Sequence, residues 1–309
     1  MNQPHLTIAV LTYQRPKRLL HAVREFPGHI VDCENLATVD VLIVDNDPAA
    51  SARSTIEELQ APWIRYVHEP TPGIAAARNR ALAESQGSRL LAFIDDDEVP
   101  RDGWLRSLLT TWNLHDADAV SGRLVSVFGE DIDPWILAGG FFRRAIHETG
   151  TPVAMAATNN LLLDLESVRS KRLHFDESLG MAGGEDSLFT SQLVNAGGRI
   201  IFCQESIVED EVDSKRTTRQ WVCRRAYSHG HTYVMTMLRR TESPISRLRI
   251  RVTSFCGGIA RMLVGWSRHF YGRLTRTLYQ EARGARGVHR GRGVFDAAIG
   301  IAYEEYARY

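Results

Sequence analysis

The sequence predicts an α/β fold organised around a mostly parallel sheet with helices on both faces. Over the first hundred residues, short β-branched runs alternate with longer patterns of helical period. The runs are almost continuously apolar and end in polar residues, which is typical of strands buried on both faces. The predicted strands cover residues 6–12, 39–45, 63–69 and 89–95, and the predicted helices between them cover 16–26, 51–60 and 73–85. Such alternation favours parallel strands joined by crossover helices.

The elements that follow are less regular. They are predicted as a helix over 102–115, strands over 117–124 and 158–164, a helix over 184–196 and a strand over 199–204. An irregular stretch from Phe128 to Gly150 is long enough to be functional or mobile. From Arg219 onward the pattern is largely helical and rich in arginine. Within it, Arg283–Gly293 combines glycine and arginine and predicts a flexible connection before a last helix.

Charge divides the chain into two regions. Residues 1–214 carry 18 basic and 32 acidic side chains, whereas residues 215–309 carry 19 basic and 5 acidic ones. The two regions therefore have different electrostatic roles. They could pack with complementary charge. Alternatively, the basic region could meet an anionic acceptor or anionic lipid, which it would bind weakly and release at high salt.

The cysteines and the N-terminal residues indicate the compartment. Four cysteines without a Cys-x-x-Cys pair argue against a zinc knuckle or a disulfide framework and favour a reducing environment. The first residues lack the pattern of a secretory signal, and no uninterrupted apolar run reaches the ~18 residues of a membrane span. We expect the protein to reside in the cytoplasm, where it could also contact the inner face of the membrane peripherally.

The strongest chemical signal is the acidic cluster Asp95–Glu98, which follows the fourth predicted strand. Because the carboxyl ends of parallel strands meet at one edge of a sheet, the cluster is expected near Thr12–Arg15 and Asp45–Asp47. Neighbouring carboxylates repel one another unless a cation offsets them. Mg²⁺ or Mn²⁺ takes one or two carboxylates and completes its shell with phosphate oxygens and water. A metal with a diphosphate is one explanation, and a solvated acidic turn that caps the next helix is the other.

A second acidic signal is the pair Glu185 and Asp186, which follows two glycines at a predicted helix start. Acidic residues in a first helical turn are favourable for electrostatic reasons alone. A carboxylate facing a metal-held diphosphate sugar could also accept the proton of an acceptor hydroxyl as that oxygen attacks the anomeric carbon. Both interpretations stay open at this point.

These motifs and their order resemble the family 2 glycosyltransferases, which have the nucleotide-sugar-binding GT-A fold. The resemblance runs from about Leu6 to Gly230 and is carried by AVLTYQRPKRL, VLIVDNDP, PGIAAARNRAL, FIDDDEVPRDGWL and GGEDSLFTSQL. FIDDDEVPRDGWL is similar to the family's DxD metal motif, and GGEDSLFTSQL resembles its Glu-Asp helix. The resemblance implies a GT-A catalytic domain over 1–214, followed by a helical basic region over 215–309.

The resemblance also implies which residues hold the donor and the metal. Thr12 and Arg15 are implied to contact the rim of the nucleotide, and Asp45 and Arg78 are implied to contact its base. Asp95 is implied to contact the ribose. Asp97 becomes the principal ligand of Mg²⁺ or Mn²⁺. Asp96 and Glu98 stay ambiguous, because three consecutive aspartates allow a register shift by one residue. For Arg78, a solvent-facing position on its helix is the alternative to contact with the base.

Asp186 resembles the family's catalytic base, with Glu185 as the alternative. Because a single displacement assisted by an aspartate base needs no covalent intermediate, inversion at the anomeric carbon is implied. The segment SKRTTRQWVCRRAYSHG resembles a helix that lies over the donor diphosphate in relatives. Arg216 or Arg219 could therefore neutralise the leaving group. Trp221 could stack on a sugar of the acceptor or pack in a core.

Several other polar residues are candidates for binding the metal or the sugar, and each of them could instead have a structural role. Where many relatives have a metal-binding histidine, this chain has ESIVEDEV, so a residue of Glu209–Glu211 would have to substitute. Asn159 and Asn160 lie on a strand facing the presumed sugar pocket, where amides bind hydroxyl groups or stay structural. For His229 and His231, whose spacing suggests a ligand pair, we favour surface or packing roles.

The sequence thus predicts an inverting, metal-dependent glycosyltransferase that moves a sugar from a UDP- or dTDP-sugar to a glycan, a glycolipid or a small natural product. A non-catalytic sugar-nucleotide-binding protein is one alternative, and it would leave the Glu185–Asp186 pair without a task. A metal-dependent nucleotidyltransferase is another, but its glycine-rich, lysine-containing phosphate loop does not occur early in the chain. No nucleic-acid partner is expected. The 34 arginines against 3 lysines are typical of a GC-rich bacterial genome.

Overall fold

The computed structural model describes residues 3–179 and 183–303. Within them, the strands are β1 (His5–Thr12), β2 (Thr38–Asp45), β3 (Ile64–His68), β4 (Leu90–Asp95), β5 (Glu98–Pro100), β6 (Ala119–Val127), β7 (Pro152–Val153), β8 (Asn160–Asp164) and β9 (Ile200–Glu211). The helices are α1 (Pro16–Asp32), α2 (Arg53–Glu57), α3 (Ile74–Glu84), α4 (Trp104–His115), α5 (Pro134–Gly139), α6 (Leu165–Ser170), α7 (Glu185–Asn195), α8 (Arg219–Arg239), α9 (Pro244–Leu274) and α10 (Leu278–Ala298). Residues 180–182, just before α7, and residues 304–309, at the end of the predicted helical region, lie outside the described residues.

The chain divides into two compact units. The first lies within Met1–Val125, Ala145–Gly180 and Glu185–Glu211, and the second within Ser126–Arg144, Met181–Gly184 and Val212–Tyr309. The boundary expected from charge, after residue 214, lies close to the start of the last of these segments. Charge did not indicate that residues 126–144 belong to the second unit.

The sheet of the first unit has a parallel core. β1 pairs in parallel with β2 and β4, and β2 pairs in parallel with β3. Beyond β4 the order continues with β8, β6, β9 and β5, and β7 also pairs with β9. β8 runs antiparallel to β4 and β6, and β5 and β7 run antiparallel to β9. The predicted α/β fold with a mostly parallel sheet is confirmed, and the antiparallel strands all follow on one side of the parallel core.

Two hydrophobic cores cover the two faces of this sheet. Ile8 and Val10 belong to one cluster, together with Phe26 of α1, whereas Ala9 belongs to the other, together with Phe189 of α7. This division follows from the strand itself, because successive side chains point to opposite faces. Burial of each large side chain contributes roughly 1.5–3 kcal/mol, so both faces need helices to cover them.

α1 is longer than the sequence predicted. It begins with Pro16 at its first turn, where the missing N–H is not needed. It then continues past Phe26 and through Pro27 to Asp32. Pro27 removes one helical hydrogen bond, but Ile30 beyond it packs against the same core as Phe26. Tertiary packing therefore outweighs the local signal to stop.

The prediction of a flexible connection over Arg283–Gly293 is wrong, because the segment lies in the middle of the continuous helix α10. Its glycines allow the helices of the second unit to approach closely. A Cβ atom at Gly284 would lie 2.3 Å from the backbone nitrogen of His269, and one at Gly293 would lie 2.0 Å from the carbonyl oxygen of Tyr227. Interhelical contact thus overrides the low intrinsic helix propensity of glycine.

None of the helices in the described part of the chain is both long enough and apolar enough to cross a membrane.

Candidate active site

The ends of β1 and β4 lie side by side and bring polar residues together. Thr12 Oγ1 donates a hydrogen bond to Asp96 Oδ2 at 2.7 Å. Arg15 Nη1 donates to Asp97 Oδ2 at 2.9 Å and to Asp96 Oδ1 at 3.3 Å. Arg18, at the start of α1, donates to Asp97 Oδ2 at 3.4 Å. Sequence reasoning missed Arg18, although its spacing of three from Arg15 puts both on neighbouring positions of a helical turn.

Burial and mutual repulsion dominate the electrostatics of the acidic cluster. Burial, followed by repulsion from Asp97, raises the pKa of Asp95 to about 7, although Arg78 acts in the opposite direction. Burial also raises the pKa of Asp96, against the effect of its hydrogen bonds. Burial and then repulsion from Asp95 raise the pKa of Glu98 well above its ordinary value. The cluster therefore carries more carboxylate than the neighbouring arginines neutralise.

β9 places further carboxylates beside the acidic cluster. Its antiparallel pairing with β5 sets Asp210 opposite Glu98. Glu211 lines a cavity of about 220 Å³ together with residues of the cluster. Glu209, in contrast, accepts a hydrogen bond from Arg101 Nε at 2.7 Å. Of the three candidates for a further metal ligand, Asp210 and Glu211 are thus beside the cluster, whereas Glu209 is held by an arginine.

The chemistry of this donor set fits a hard divalent cation. The cluster and Asp210 offer carboxylate oxygens, which Mg²⁺ and Mn²⁺ prefer, and a cation would relieve the repulsion at Asp95. In the ranges 3–179 and 183–303, no three His, Cys, Asp or Glu residues are placed so that they could hold a metal by themselves. A metal would therefore take one or two protein ligands, Asp97 foremost, and complete its shell with phosphate oxygens and water. The role of Asp95 toward the ribose stays a prediction. Metal binding stays a prediction.

Arg78 and Glu185 form a buried ion pair within the first unit. Their side chains are 6% and 5% exposed, and the guanidinium lies 5.6 Å from the ring centre of Phe175. Burial acts to lower the pKa of Arg78, but attraction by Glu185, Asp186 and Asp95 raises it. Arg78 therefore lies near both acidic motifs that the sequence singled out. The alternative for Arg78, a solvent-facing position on its helix, is therefore wrong. Contact between Arg78 and the nucleotide base stays a prediction.

Glu185 and Asp186 share the first turn of α7 but differ in environment. Glu185 is buried, its Oε1 is held by Arg78, and its Oε2 makes no hydrogen bond within the described residues. Burial is the main cause that raises the pKa of Glu185. Asp186 is partly exposed, and its Oδ1 accepts a hydrogen bond from the backbone nitrogen of Ser187 at 2.6 Å. Of the two carboxylates, Asp186 is the more accessible.

Asp45 organises the turn that follows β2. Its Oδ1 accepts from the backbone nitrogen of Asp47 at 3.0 Å, and its Oδ2 accepts from the backbone nitrogen of Ala52 at 2.8 Å. The hydroxyl of Tyr66 donates to the same Oδ2 at 2.9 Å. A carboxylate has about four acceptor positions, and three of those of Asp45 are used within the protein, where the residue is fully buried. Contact between Asp45 and the base stays a prediction.

Asn159 and Asn160 support the site from the interior. Asn159 Nδ2 donates to Glu98 Oε1 at 2.8 Å. Asn160 Oδ1 accepts from Trp104 Nε1 at 2.9 Å, and its Nδ2 donates to two backbone carbonyls, one of them that of Ser206 at 3.0 Å. Both amide hydrogens of Asn160 are therefore used within the protein. This geometry favours the structural alternative for Asn160 over contact with the donor.

Arg216, Arg219 and Trp221 belong to the second unit. Arg219 Nε donates to Asp133 Oδ2 at 2.6 Å. The ring of Trp221 is stacked on that of Phe142, with centroids 6.0 Å apart and planes inclined by 3°. Arg216 lies in the short 3-10 turn Ser214–Arg216. Trp221 thus takes part in core packing, and the roles of the two arginines toward the diphosphate stay predictions.

Of the two histidines of α8, His229 is exposed at the surface and His231 packs inside the second unit. His231 is buried, and its Nε2 lies 2.8 Å from the carbonyl oxygen of Ile301. Partial burial of its ring, followed by repulsion from four arginines, lowers the pKa of His229. These arginines are Arg225, Arg144, Arg290 and Arg286. A histidine in such a cationic environment is neutral at physiological pH.

Sequence comparisons place this site in a known family. The family model of Glycosyl transferase family 2 matches residues 7–169, which is more than half of the chain. The succinoglycan biosynthesis protein ExoM of Rhizobium meliloti (strain 1021) is 34% identical over 232 residues, covering 74% of this chain and 74% of that protein. Pre-mycofactocin glycosyltransferase of Mycobacterium tuberculosis (strain ATCC 25618 / H37Rv) is 29% identical over 202 residues, covering 63% of this chain and 42% of that protein.

Solved structures show the same fold at low sequence identity. The structure of S. aureus TarS 1–349 in complex with UDP-GlcNAc has a TM-score of 0.52 and 14% identity, and the match covers 92% of this chain and 90% of that one. The full TarS structure gives a TM-score of 0.52 and 14% identity, with 90% and 55% covered. The predicted GT-A fold is thereby confirmed. The chain belongs to glycosyl transferase family 2 and is a glycosyltransferase.

Proposed function

We propose that the enzyme transfers a sugar from a UDP- or dTDP-sugar to an acceptor hydroxyl, with inversion at the anomeric carbon and with Mg²⁺ or Mn²⁺. The observation that carries the proposal is the buried ion pair of Arg78 with Glu185, together with the attraction of Asp186 and Asp95 that raises the pKa of Arg78. The acidic cluster and the acidic start of α7 thus lie in one region of the first unit. A donor site beside a catalytic base requires this arrangement.

The acidic cluster and the arginines beside it would hold the diphosphate. Asp97 would hold the metal, which would neutralise the charge that develops on the leaving diphosphate, and Asp95 would contact the ribose. Arg15 is 40% exposed at its side chain and lies against Asp97, so it can also reach phosphate oxygens.

Asp186 would act as the general base. It would take the proton of the acceptor hydroxyl while the hydroxyl oxygen forms a bond to the anomeric carbon. The bond between that carbon and the diphosphate oxygen breaks, and the nucleoside diphosphate leaves with the bonding electrons. Because the displacement occurs in one step, the anomeric configuration inverts. Glu185 is buried and its Oε1 is held by Arg78, whereas Asp186 is partly exposed, which supports Asp186 as the base.

The comparisons support one choice of donor and acceptor over the others. TarS was solved with UDP-GlcNAc, which supports a UDP-sugar ahead of a dTDP-sugar. ExoM is named for succinoglycan biosynthesis, which supports a glycan acceptor ahead of a glycolipid or a small natural product. Cytoplasmic residence belongs to the same proposal.

Thermal-shift titration tests the donor site without knowledge of the acceptor. UDP, dTDP, GDP and ADP are each added with Mn²⁺ and with EDTA, since a ligand that binds only the folded state raises the unfolding temperature. We expect UDP to stabilise the protein with Mn²⁺ and to lose most of this effect in EDTA or in Asp97→Asn. Stabilisation that is equal in Mn²⁺ and EDTA would refute the metal dependence of nucleotide binding. If no nucleotide stabilises the protein, the assignment of the donor site is refuted.

Hydrolysis of the matching UDP-sugar tests the base, because water can replace the acceptor. We expect Asp186→Asn to lower the hydrolysis rate by roughly 10²–10⁴-fold while UDP binding is kept. Asp116→Asn is the matched control, because Asp116 is exposed and has a left-handed backbone conformation that asparagine tolerates. A hydrolysis rate in Asp186→Asn equal to that of the control would exclude Asp186 as the base.

A further inference from the structure

The long helix α9 buries small residues and exposes large ones. Its buried residues are Ser254, Gly258, Gly265 and Gly272. They pack against α10 at close range, since a Cβ atom at Gly265 would lie 2.6 Å from the backbone nitrogen of Val288. The packed face of α9 is therefore mainly the small-residue face, and most of its large apolar side chains point elsewhere.

The opposite face of α9 is apolar and exposed over the length of the helix. Its large hydrophobic side chains are 38–86% exposed: Ile245, Leu248, Val252, Phe255, Leu263, Val264, Trp266, Phe270, Tyr271 and Leu274. Most of them follow one another in steps of three, four or eight residues, which return to the same side of a helix. The face extends over about 44 Å at a rise of ~1.5 Å per residue. At about 100° per residue it covers roughly half of the circumference. We call it the α9 apolar face.

The charge of α9 is entirely positive. The helix contains six arginines and no aspartate or glutamate: Arg247, Arg249, Arg251, Arg261, Arg268 and Arg273. Arg247, Arg249 and Arg273 are exposed toward the two ends of the helix, and Arg261 is exposed near its middle. A long helix that combines an exposed apolar face with arginines and no acidic residue of its own is typical of proteins that lie in the interface of a membrane.

We propose that the α9 apolar face docks into the surface of a membrane that contains anionic lipids. Its apolar side chains would lie among the upper parts of the acyl chains, and its arginines would reach the headgroup phosphates. Trp266 and Tyr271 have the combination of apolar ring and polar group that suits this depth. Arginine can keep its stem in the apolar layer while its guanidinium stays with the phosphates. The proposal is independent of the donor, the metal and the base assigned above.

The charge of α9 and the width of the α9 apolar face favour a lipid surface over a second copy of the chain as the occupant of this face. Two α9 helices face to face would bring arginine against arginine with no acidic partner on either helix. A paired helix also needs only a narrow apolar seam, whereas Val264 and Tyr271 widen the α9 apolar face well beyond such a seam. Phosphates of anionic lipids supply the missing negative charge, at about 1 kcal/mol per basic residue near the surface.

Vesicle flotation tests the proposal with the intact chain. Vesicles of phosphatidylcholine with phosphatidylglycerol are compared with vesicles of phosphatidylcholine alone, at about 0.1 M and 1 M NaCl. We expect binding to the anionic vesicles that weakens at high salt but persists in part, because salt screens the arginines and leaves the apolar contact intact. Complete release at high salt would overturn insertion of the apolar face.

Two matched triple variants separate the α9 apolar face from exposed apolar residues in general. The first is Leu263→Gln/Phe270→Gln/Leu274→Gln on α9, and the second is Val31→Gln/Leu114→Gln/Leu137→Gln at other exposed positions. We expect the α9 variant to lower the partition coefficient about tenfold or more and the control variant to leave it unchanged. Equal partition of the two variants would overturn the proposal. UDP-dependent thermal stabilisation should be the same in both, which distinguishes a lost membrane contact from a lost donor site.

Two further readouts identify the occupant of the face. Lipids brominated near the headgroup should quench the fluorescence of the bound protein, and the quenching should fall in Trp266→Phe but not in Trp112→Phe. Equal quenching in these two variants would contradict the placement of α9 in the lipid. Sedimentation velocity that shows a dimer, dissociated only by the α9 triple variant, together with no vesicle binding, would assign the face to a second copy.

Discussion

Replacement of Arg78 by methionine should destabilise the enzyme by about 3–5 kcal/mol, because it breaks a buried ion pair and leaves one partner in place. Methionine keeps much of the apolar stem but removes the charge that holds Glu185 Oε1. Glu185 is 5% exposed, so its carboxylate would remain buried without a cation. Protonation of Glu185 limits the cost, since a neutral carboxyl group is easier to bury than a charged one. The contact between the guanidinium and Phe175 is lost as well.

The reverse replacement, Glu185→Gln, should cost less. Arg78 stays under the attraction of Asp186 and Asp95, and the amide oxygen of glutamine can still accept a hydrogen bond from it. We expect a loss of about 1–2 kcal/mol, the range of a hydrogen bond to a charged group. The double variant should cost less than the sum of the two single ones, with a coupling energy of about 1–3 kcal/mol.

Urea unfolding with two spectroscopic probes measures these energies from the midpoint and the slope. Arg80→Met is the matched control on the same helix, because Arg80 pairs with Glu84 at positions that are 39% and 31% exposed. A surface pair of this kind contributes less than about 1 kcal/mol. If Arg78→Met costs no more than Arg80→Met, or if the cycle is additive, Glu185 is not locked in a buried pair. The argument for Asp186 as the base then loses its support.

Two further predictions concern the second unit. Gly284→Ala should be less stable than Gly287→Ala by about 1–3 kcal/mol in urea unfolding, because a Cβ at Gly284 would meet backbone at 2.3 Å and one at Gly287 at 3.4 Å. Equal midpoints would contradict close packing of α9 and α10. His229→Gln should reduce slightly the loss of stability as pH falls below about 7. Folding lowers the pKa of His229, so the unfolded state binds a proton more readily than the folded state, and the effect is small because the side chain is exposed. Thermal midpoints at pH 7 and pH 5 measure this, and an unchanged difference between them would argue against the prediction.

The parallel part of the sheet could be predicted because its signals are local. The strand predicted over 6–12 is β1, His5–Thr12, and the helix predicted over 73–85 is α3, Ile74–Glu84. Apolar runs that end in polar residues reflect burial on both faces, and this pattern is present in the sequence itself. The errors occur where tertiary contacts decide, as in α1, which continues through Pro27, and in α2, which is shorter than predicted at Arg53–Glu57.

In the candidate site, too, features that are local in the sequence could be predicted, whereas contacts between distant residues could not. The acidic cluster is contiguous in the sequence, so its location after β4 could be predicted. The pairing of Arg78 with Glu185 could not, because the two residues are 107 positions apart and each has an ordinary local interpretation. This pairing nevertheless bears most directly on the mechanism, because it separates two adjacent carboxylates, Glu185 and Asp186, that the sequence left as alternatives.

The α9 helix shows why hydrophobic periodicity alone does not reveal which face of a helix is buried. A broad apolar face normally marks the packed side, but here Gly258, Gly265 and Gly272 recur every seven residues and meet glycines of α10 such as Gly284 and Gly291. Glycine against glycine brings the two backbones close together, so the small-residue side is the one that packs. The large side chains are then left on the outside, next to arginines that have no acidic neighbour on the same helix. Complementary packing and lipid contact were both compatible with the basic composition of residues 215–309, and the outward apolar face favours lipid contact for α9.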